Sequence, residues 1–284
     1  MLGPKNPASP QHWQETCGSC HPYQLRRVRS SLMFTNTGII SGIQKTWESE
    51  TQEHWATQSM DTYDRKGRSL QLQGVEHLDN LGGELYRKFC SRCHLQMAEY
   101  RKYRGSHASG CAACHFPYNA NATYQGKDEA LQGKWPYSAS HALAALPPNE
   151  VCLHCHNRSG RIALTYQGLY DGNSALVPTR DARPGPEMIS GGRNVVHIAP
   201  DVHFEAGMDC IDCHTSRDIM GDGYAYRHLY RQVEIRCRDC HGTGSSPPRF
   251  REIRRENAAP IRESRSYPMQ VRPGMRMALT SKGR

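Results

Sequence analysis

The chain has 284 residues, 37% of them hydrophobic and 8% aromatic, with a formal charge of +9. A mean hydropathy of −0.74 and the lack of any run of about 18 apolar residues exclude a transmembrane helix, and so little apolar side chain is poor material for a conventional core. The 25 Gly and 17 Pro point to abundant irregular chain.

The chain starts "MLGPKNPASP", which has no apolar stretch of the kind a signal peptide needs. His12 precedes a first C-x-x-C-H unit, Cys17/Cys20/His21. Residues 25–46 mix apolar and basic positions and are predicted to hold one helix, with Met33 in it as a packing methionine in preference to a ligand. His54 and His77 fall in the long interval that follows. Residues 78–104 read as a second helical region running through Cys90/Cys93/His94. His107, in "SHASGC", leads into Cys111/Cys114/His115, and His141 leads more distantly into Cys152/Cys155/His156. In that fourth unit, "CLHCH", a second histidine, His154, sits between the cysteines.

Residues 157–200 carry many Gly and Pro and are predicted to be loop with a short hairpin; His197 lies near their end. Arg158, Arg161 and Tyr166 lie beside the fourth unit. His203, in "HFEAGMDC", precedes Cys210/Cys213/His214, and His228, in "HLYRQVEIRC", precedes Cys237/Cys240/His241. Between these units "DIMGDGYAY", with Asp218 and Asp222, lacks the oxygen-ligand pattern of a calcium loop and reads as a Gly-rich turn. From Ser245 the chain is a basic, Pro-containing arm. The expected organisation is one unit over 1–244 and an arm over 245–284, draped over the body or docked on a neighbour.

All 12 cysteines therefore belong to six C-x-x-C-H units, and none is left for a disulfide or a zinc site. With 15 His in 284 residues, six at that position by chance is about a one in 10⁸ coincidence, and C-x-x-C-H is the covalent attachment signature of c-type haem. The spacing has a geometric reason. Residues i, i+3 and i+4 share one face of a helical turn, so both thiols reach one porphyrin edge while the imidazole reaches the iron. The expected cofactors are six covalently attached haem c groups. The fold class this implies is mainly irregular chain with short α-helices and little β, organised around the six haems and dependent on them. Haem propionates bring the basic chain close to neutral, so nucleic acid is not an expected partner. Intervals of 73, 21, 41, 58 and 27 residues between first cysteines make the second and third units, and the fifth and sixth, close neighbours.

Each motif histidine leaves one axial position on its iron, and a second histidine there suits electron transfer. Nine histidines lie outside the motif positions. His107, His203 and His228 are the best distal candidates, then His141, His197 and His77; His12 and His54 are weaker. His154, about 200° around the turn from Cys152, is expected to point away from its own haem.

Three stretches, "CLHCHNRSGRIALTYQG", "HFEAGMDCIDCHTSRDIMGDGYAYRHLYRQVEIRCRDCHG" and more loosely "CGSCHPYQLRRVRSSLM", resemble a family of multihaem c-type cytochromes of metal-reducing and other anaerobic respiratory bacteria. The resemblance covers about half the chain. It implies periplasmic or extracellular electron transfer, and carries over His203, His214, His228 and His241 as iron ligands by motif position. The expected function is an electron carrier whose partners are redox proteins or other multihaem cytochromes. The alternatives are a subunit of an extracellular cytochrome filament and a multihaem reductase of nitrogen or sulfur oxyanions. All six motifs end in His, and spare His is plentiful, which disfavours the reductase.

Overall fold

The computed structural model describes residues 7–47, 56–57, 73–74, 79–90, 95, 108–119, 123–135, 137–157, 162–172, 183–189, 193–256, 258, 260–261 and 270–282. Over these residues the chain consists of short helices joined by irregular chain, with three small sheets. No helix among them is long and apolar enough to cross a membrane.

The segment predicted as one helix over 25–46 is three: Pro22–Val28, Leu32–Thr35 and Thr37–Trp47. Two side-chain events interrupt it. Ser31 adopts extended backbone and its hydroxyl accepts from the Phe34 N–H, starting a new helix. Asn36 then takes a left-handed conformation, φ 54°, which ends that helix after one turn. The second predicted helical region is helical over Leu81–Leu85 and continues as a wider π-type turn over Tyr86–Cys90; Leu95 is the one described residue between 91 and 104.

Residues 157–200 hold more β-structure than one short hairpin. Leu169–Asp171, Arg183–Ile189 and Arg193–His197 form an antiparallel sheet with the last strand in the centre. Its register slips between Arg183 and Glu187, across Pro184, Gly185 and Pro186, where proline cannot donate to the ladder. Ala56–Thr57 pairs in parallel with Gln73–Gly74. In the arm, Phe250–Glu252 pairs with Arg276–Ala278, and the chain returns to the body through Ser281, whose hydroxyl donates to Asp239 at 3.3 Å, and Lys282, whose ammonium donates to the Gln232 carbonyl at 2.8 Å.

Packing gathers the motifs. Trp13, Leu25, Val28 and Phe34 form one buried cluster, against which Cys17, Leu95, Cys111 and Met220 pack. Residues of or beside the first, second, third and fifth motifs thus share one apolar contact. Leu153, Leu164 and Val195 form a second cluster beneath the central strand. Arg27 closes the fold from the N-terminal side. It is buried, and its Nε donates to the Gly221 carbonyl at 2.6 Å and a terminal nitrogen to the Ser216 carbonyl at 3.1 Å. Gly221 has φ +81° and a Cβ there would lie 2.7 Å from the Arg27 carbonyl oxygen, so only glycine permits this approach. Replacing Arg27 with Met, which keeps the stem and loses both donors, is expected to lower stability by about 2–3 kcal/mol in a denaturant titration. An unchanged midpoint would mean that the two carbonyls find other donors.

Candidate haem-ligating site

The five motifs whose histidines are described share one local geometry. The motif cysteine's carbonyl accepts from the histidine's backbone N–H four residues on in Cys17–His21 (2.8 Å), Cys111–His115 (3.0 Å), Cys152–His156 (3.0 Å) and Cys210–His214 (2.9 Å). Cys237–His241 is itself one helix. Each motif is thus a single helical turn with two thiols and an imidazole on one side. Of the second motif, Cys93 and His94 lie outside the described residues, as does the Cys90 side chain. Leu95, immediately after it, accepts from the Gly110 N–H at 3.1 Å, which ties the second motif's end to the start of the third.

The second x position points back along the turn. In the fifth and sixth motifs it is Asp212 and Asp239, whose carboxylates accept from the backbone N–H of Asp209 (2.7 Å) and Arg236 (2.9 Å) at the head of each turn. In the fourth motif the same position is His154. It is buried, with its ring edge-on to Tyr118 at 6.4 Å, whereas His156 is exposed. The two histidines of "CLHCH" therefore face different surroundings, and His154 turns toward the segment after the third motif.

Further contacts chain the motifs together. Asn149, three residues before Cys152, accepts from the Cys210 N–H at 2.9 Å and donates to Asp209 at 2.8 Å. Tyr166 donates to the Met208 carbonyl at 2.6 Å and packs edge-on against Phe204; its hydroxyl is thus engaged between the fourth and fifth motifs, while Arg158 and Arg161 lie outside the described residues. Thr215 donates to the buried Glu234 at 2.8 Å, joining the fifth motif to the segment before the sixth. Asn149→Ala removes both clasp bonds and leaves the Cys210 N–H without its acceptor. A loss of about 1–2 kcal/mol in unfolding free energy is expected, and no change would show that the clasp contributes nothing.

A redox dithiol needs an accessible thiolate, and burial works against one at Cys111, Cys114 and Cys213. Burial, and then the neighbouring Cys17, pushes Cys111 up to about 12; burial pushes Cys114 up to about 11. Cys213 is raised by burial as well. Cys152 and Cys210 share a hydrogen bond that holds the proton on Cys210, raising it and lowering Cys152. These contacts run between motifs, first cysteine to first cysteine, and none of the ten described cysteines forms a disulfide.

Three imidazoles have Nδ1 held by an acceptor. A ligating histidine commonly donates its second ring N–H to a carbonyl or carboxylate, which fixes the tautomer and leaves the other nitrogen's lone pair for the metal. His115 Nδ1 lies 2.7 Å from the Ala144 carbonyl, His214 Nδ1 2.7 Å from Asp218, and His203 Nδ1 2.7 Å from Asp201. The hydrogen bond to Asp218 holds the His214 pKa above its ordinary value, and Asp201 is held below the carboxylate range by the His203 backbone N–H and then its ring. His203 and His241 meet: their Nε2 atoms are 3.5 Å apart and the rings are perpendicular in arrangement, 5.7 Å between centroids. Two nitrogens bound to one metal from opposite sides, at about 2.0–2.1 Å each, would stand about 4 Å apart. The pair is thus close to the separation that joint ligation requires, with His241 fixed by the sixth motif's turn and His203 by the helix Val202–Glu205. Among the described residues no three His, Cys, Asp or Glu converge on a bare metal site; a haem asks only two ligands of the protein, and this pair stands at 3.5 Å against that span of about 4 Å.

The remaining candidates are not brought to a second motif histidine by any contact described. His141 packs on Tyr124 at 4.9 Å, three residues before the carbonyl that anchors His115. His228 stacks on Tyr230, and His197 ends the central strand. His12 ends a 3-10 turn before the first motif, and Met33 is half-buried in Leu32–Thr35. His54, His77 and His107 lie outside the described residues. Asp218 and Asp222 do not form a calcium turn: Asp218 serves His214, and Asp222 accepts from the Tyr226 hydroxyl at 2.8 Å. The roles of Asp201, Asp218 and the Ala144 carbonyl are additions to the sequence reading.

No protein-family model, curated protein or solved structure matches the chain.

Proposed function

We propose that the chain is a hexahaem c-type cytochrome that carries electrons through a series of mostly bis-His haems in periplasmic or extracellular respiration, between redox proteins or other multihaem cytochromes. The observation that carries this reading is the His203–His241 pair, Nε2 to Nε2 at 3.5 Å, within a chain whose every cysteine stands in C-x-x-C-H. Bound haem iron would supply one-electron oxidation and reduction. The chain's own residues do the rest. Cys17, Cys20, Cys90, Cys93, Cys111, Cys114, Cys152, Cys155, Cys210, Cys213, Cys237 and Cys240 tether, and His21, His94, His115, His156, His214 and His241 present one ligand each. Ala144, Asp201 and Asp218 hold three imidazoles in the tautomer that offers Nε2. Were iron held there by both His203 and His241, no position would be left for a substrate, which would support carriage over bond-making chemistry at the sixth motif.

The experiment is a reductive titration of the purified protein followed by its visible and electron-paramagnetic spectra. Low-spin haem that reduces and reoxidises reversibly, without turnover of added oxyanions, is the expected result. A colourless protein, or one whose thiols bind zinc stoichiometrically, contradicts the reading.

A further inference from the structure

Three imidazoles of the site give Nδ1 to acceptors that differ in charge and burial. His115 faces the neutral carbonyl of Ala144. His203 faces Asp201, whose side chain is 46% exposed, and His214 faces Asp218, whose side chain is 3% exposed. A carboxylate acceptor makes the imidazole a stronger donor to a metal than a carbonyl does, and second-shell hydrogen bonds and local charge are levers on haem potential. A charge away from water also acts about four times more strongly than one in bulk water at the same distance.

The Asp218 charge is not spent elsewhere. Its backbone N–H donates to Thr215 and its carbonyl accepts from Gln232, while among the described residues the carboxylate's hydrogen bond is the one to His214. Arg27, the buried cation of this region, gives its described hydrogen bonds to the carbonyls of Gly221 and Ser216. Glu234, a second buried carboxylate, accepts from Thr215 and interacts electrostatically with Arg27.

We propose that Asp218 is a positioning and potential-setting residue: through His214 it holds the haem tethered by Cys210 and Cys213 at a lower reduction potential than the haem tethered by Cys111 and Cys114. The inference rests on the haem reading above. Each reduction adds one electron from an external donor, makes and breaks no bond, and leaves the Nδ1 proton on His214. A fixed negative charge against that proton favours the oxidised, more positive iron.

The test is a spectroelectrochemical titration of the full six-haem protein and of its Asp218→Asn, Asp218→Glu and Asp201→Asn variants. Asparagine keeps the acceptor and removes the charge. D218N moves one of the steps to higher potential and leaves the others in place, D218E keeps that step low, and D201N moves a different step by less. An unchanged D218N titration, with six haems present by mass, overturns the inference and leaves the haem reading standing. If D218N fails to load six haems, the unaltered protein decides: its haem signals, assigned by nuclear magnetic resonance, show the 210–214 haem reduced after the 111–115 haem, and the reverse order overturns the inference. Absence of haem from the unaltered protein overturns the reading beneath it.

Discussion

Replacing His203 with Ala in the full chain is expected to turn one haem in six from low-spin to high-spin, and added imidazole is expected to restore it. The expectation follows from the 3.5 Å approach of His203 Nε2 to His241 Nε2. On the proposed bis-His reading, loss of one of the two histidines would leave the iron one ligand short, while the tether through Cys237 and Cys240 would remain. His203 is partly exposed on a one-turn helix, so its truncation costs little packing and the spectral change is separable from unfolding. Exogenous imidazole rescues a missing ligand and does not rescue a misfolded chain. An electron-paramagnetic spectrum of H203A that keeps every low-spin haem of the unaltered protein would remove His203 from the ligand set and with it the pairing proposed for the sixth motif.

The second large effect concerns the chain without its cysteines. With the twelve motif cysteines replaced by Ala, the protein is expected to lose cooperative unfolding altogether, seen as a featureless thermal melt by circular dichroism and rapid proteolysis. The interior explains why. Among the described residues fourteen buried hydrophobic side chains face seventeen buried polar or charged ones, in helices of mostly one or two turns. Helices that short are not stable alone and depend on what they pack against. A chain that organises its fold around bound groups is unfolded without them. A cooperative melt for the cysteine-free variant would show that side-chain packing suffices.

The C-x-x-C-H turns were legible in the sequence because they are local: two thiols and an imidazole within five residues need only one helical turn, which the five motifs with described histidines form. The partner of His203 was not. Its position seven residues before Cys210 makes it a ligand candidate, yet the histidine it meets is His241, 38 residues away, brought near by the contacts that fold the sixth motif against the fifth. The Nδ1 acceptors were half legible. Asp201 stands two residues before His203 as the N-cap of its one-turn helix, and Asp218 stands four residues after His214 in the helix Ser216–Ile219, so both are close in sequence to the ring they meet. The Ala144 carbonyl, 29 residues from His115, carries no side-chain signal at all. The break of the 25–46 segment turned on a serine cap and one left-handed asparagine, choices that hydrophobic periodicity does not register. The three-stranded sheet was hidden by prolines and glycine inside its own edge strand.

The most direct measurement is the intact mass of the purified, denatured protein, taken after export in a host that attaches c-type haem. The expected result is a chain heavier by six haem groups that survive denaturation, with no free thiol among the twelve cysteines. A mass equal to that of the polypeptide alone, with twelve titratable thiols or with disulfides, would contradict it.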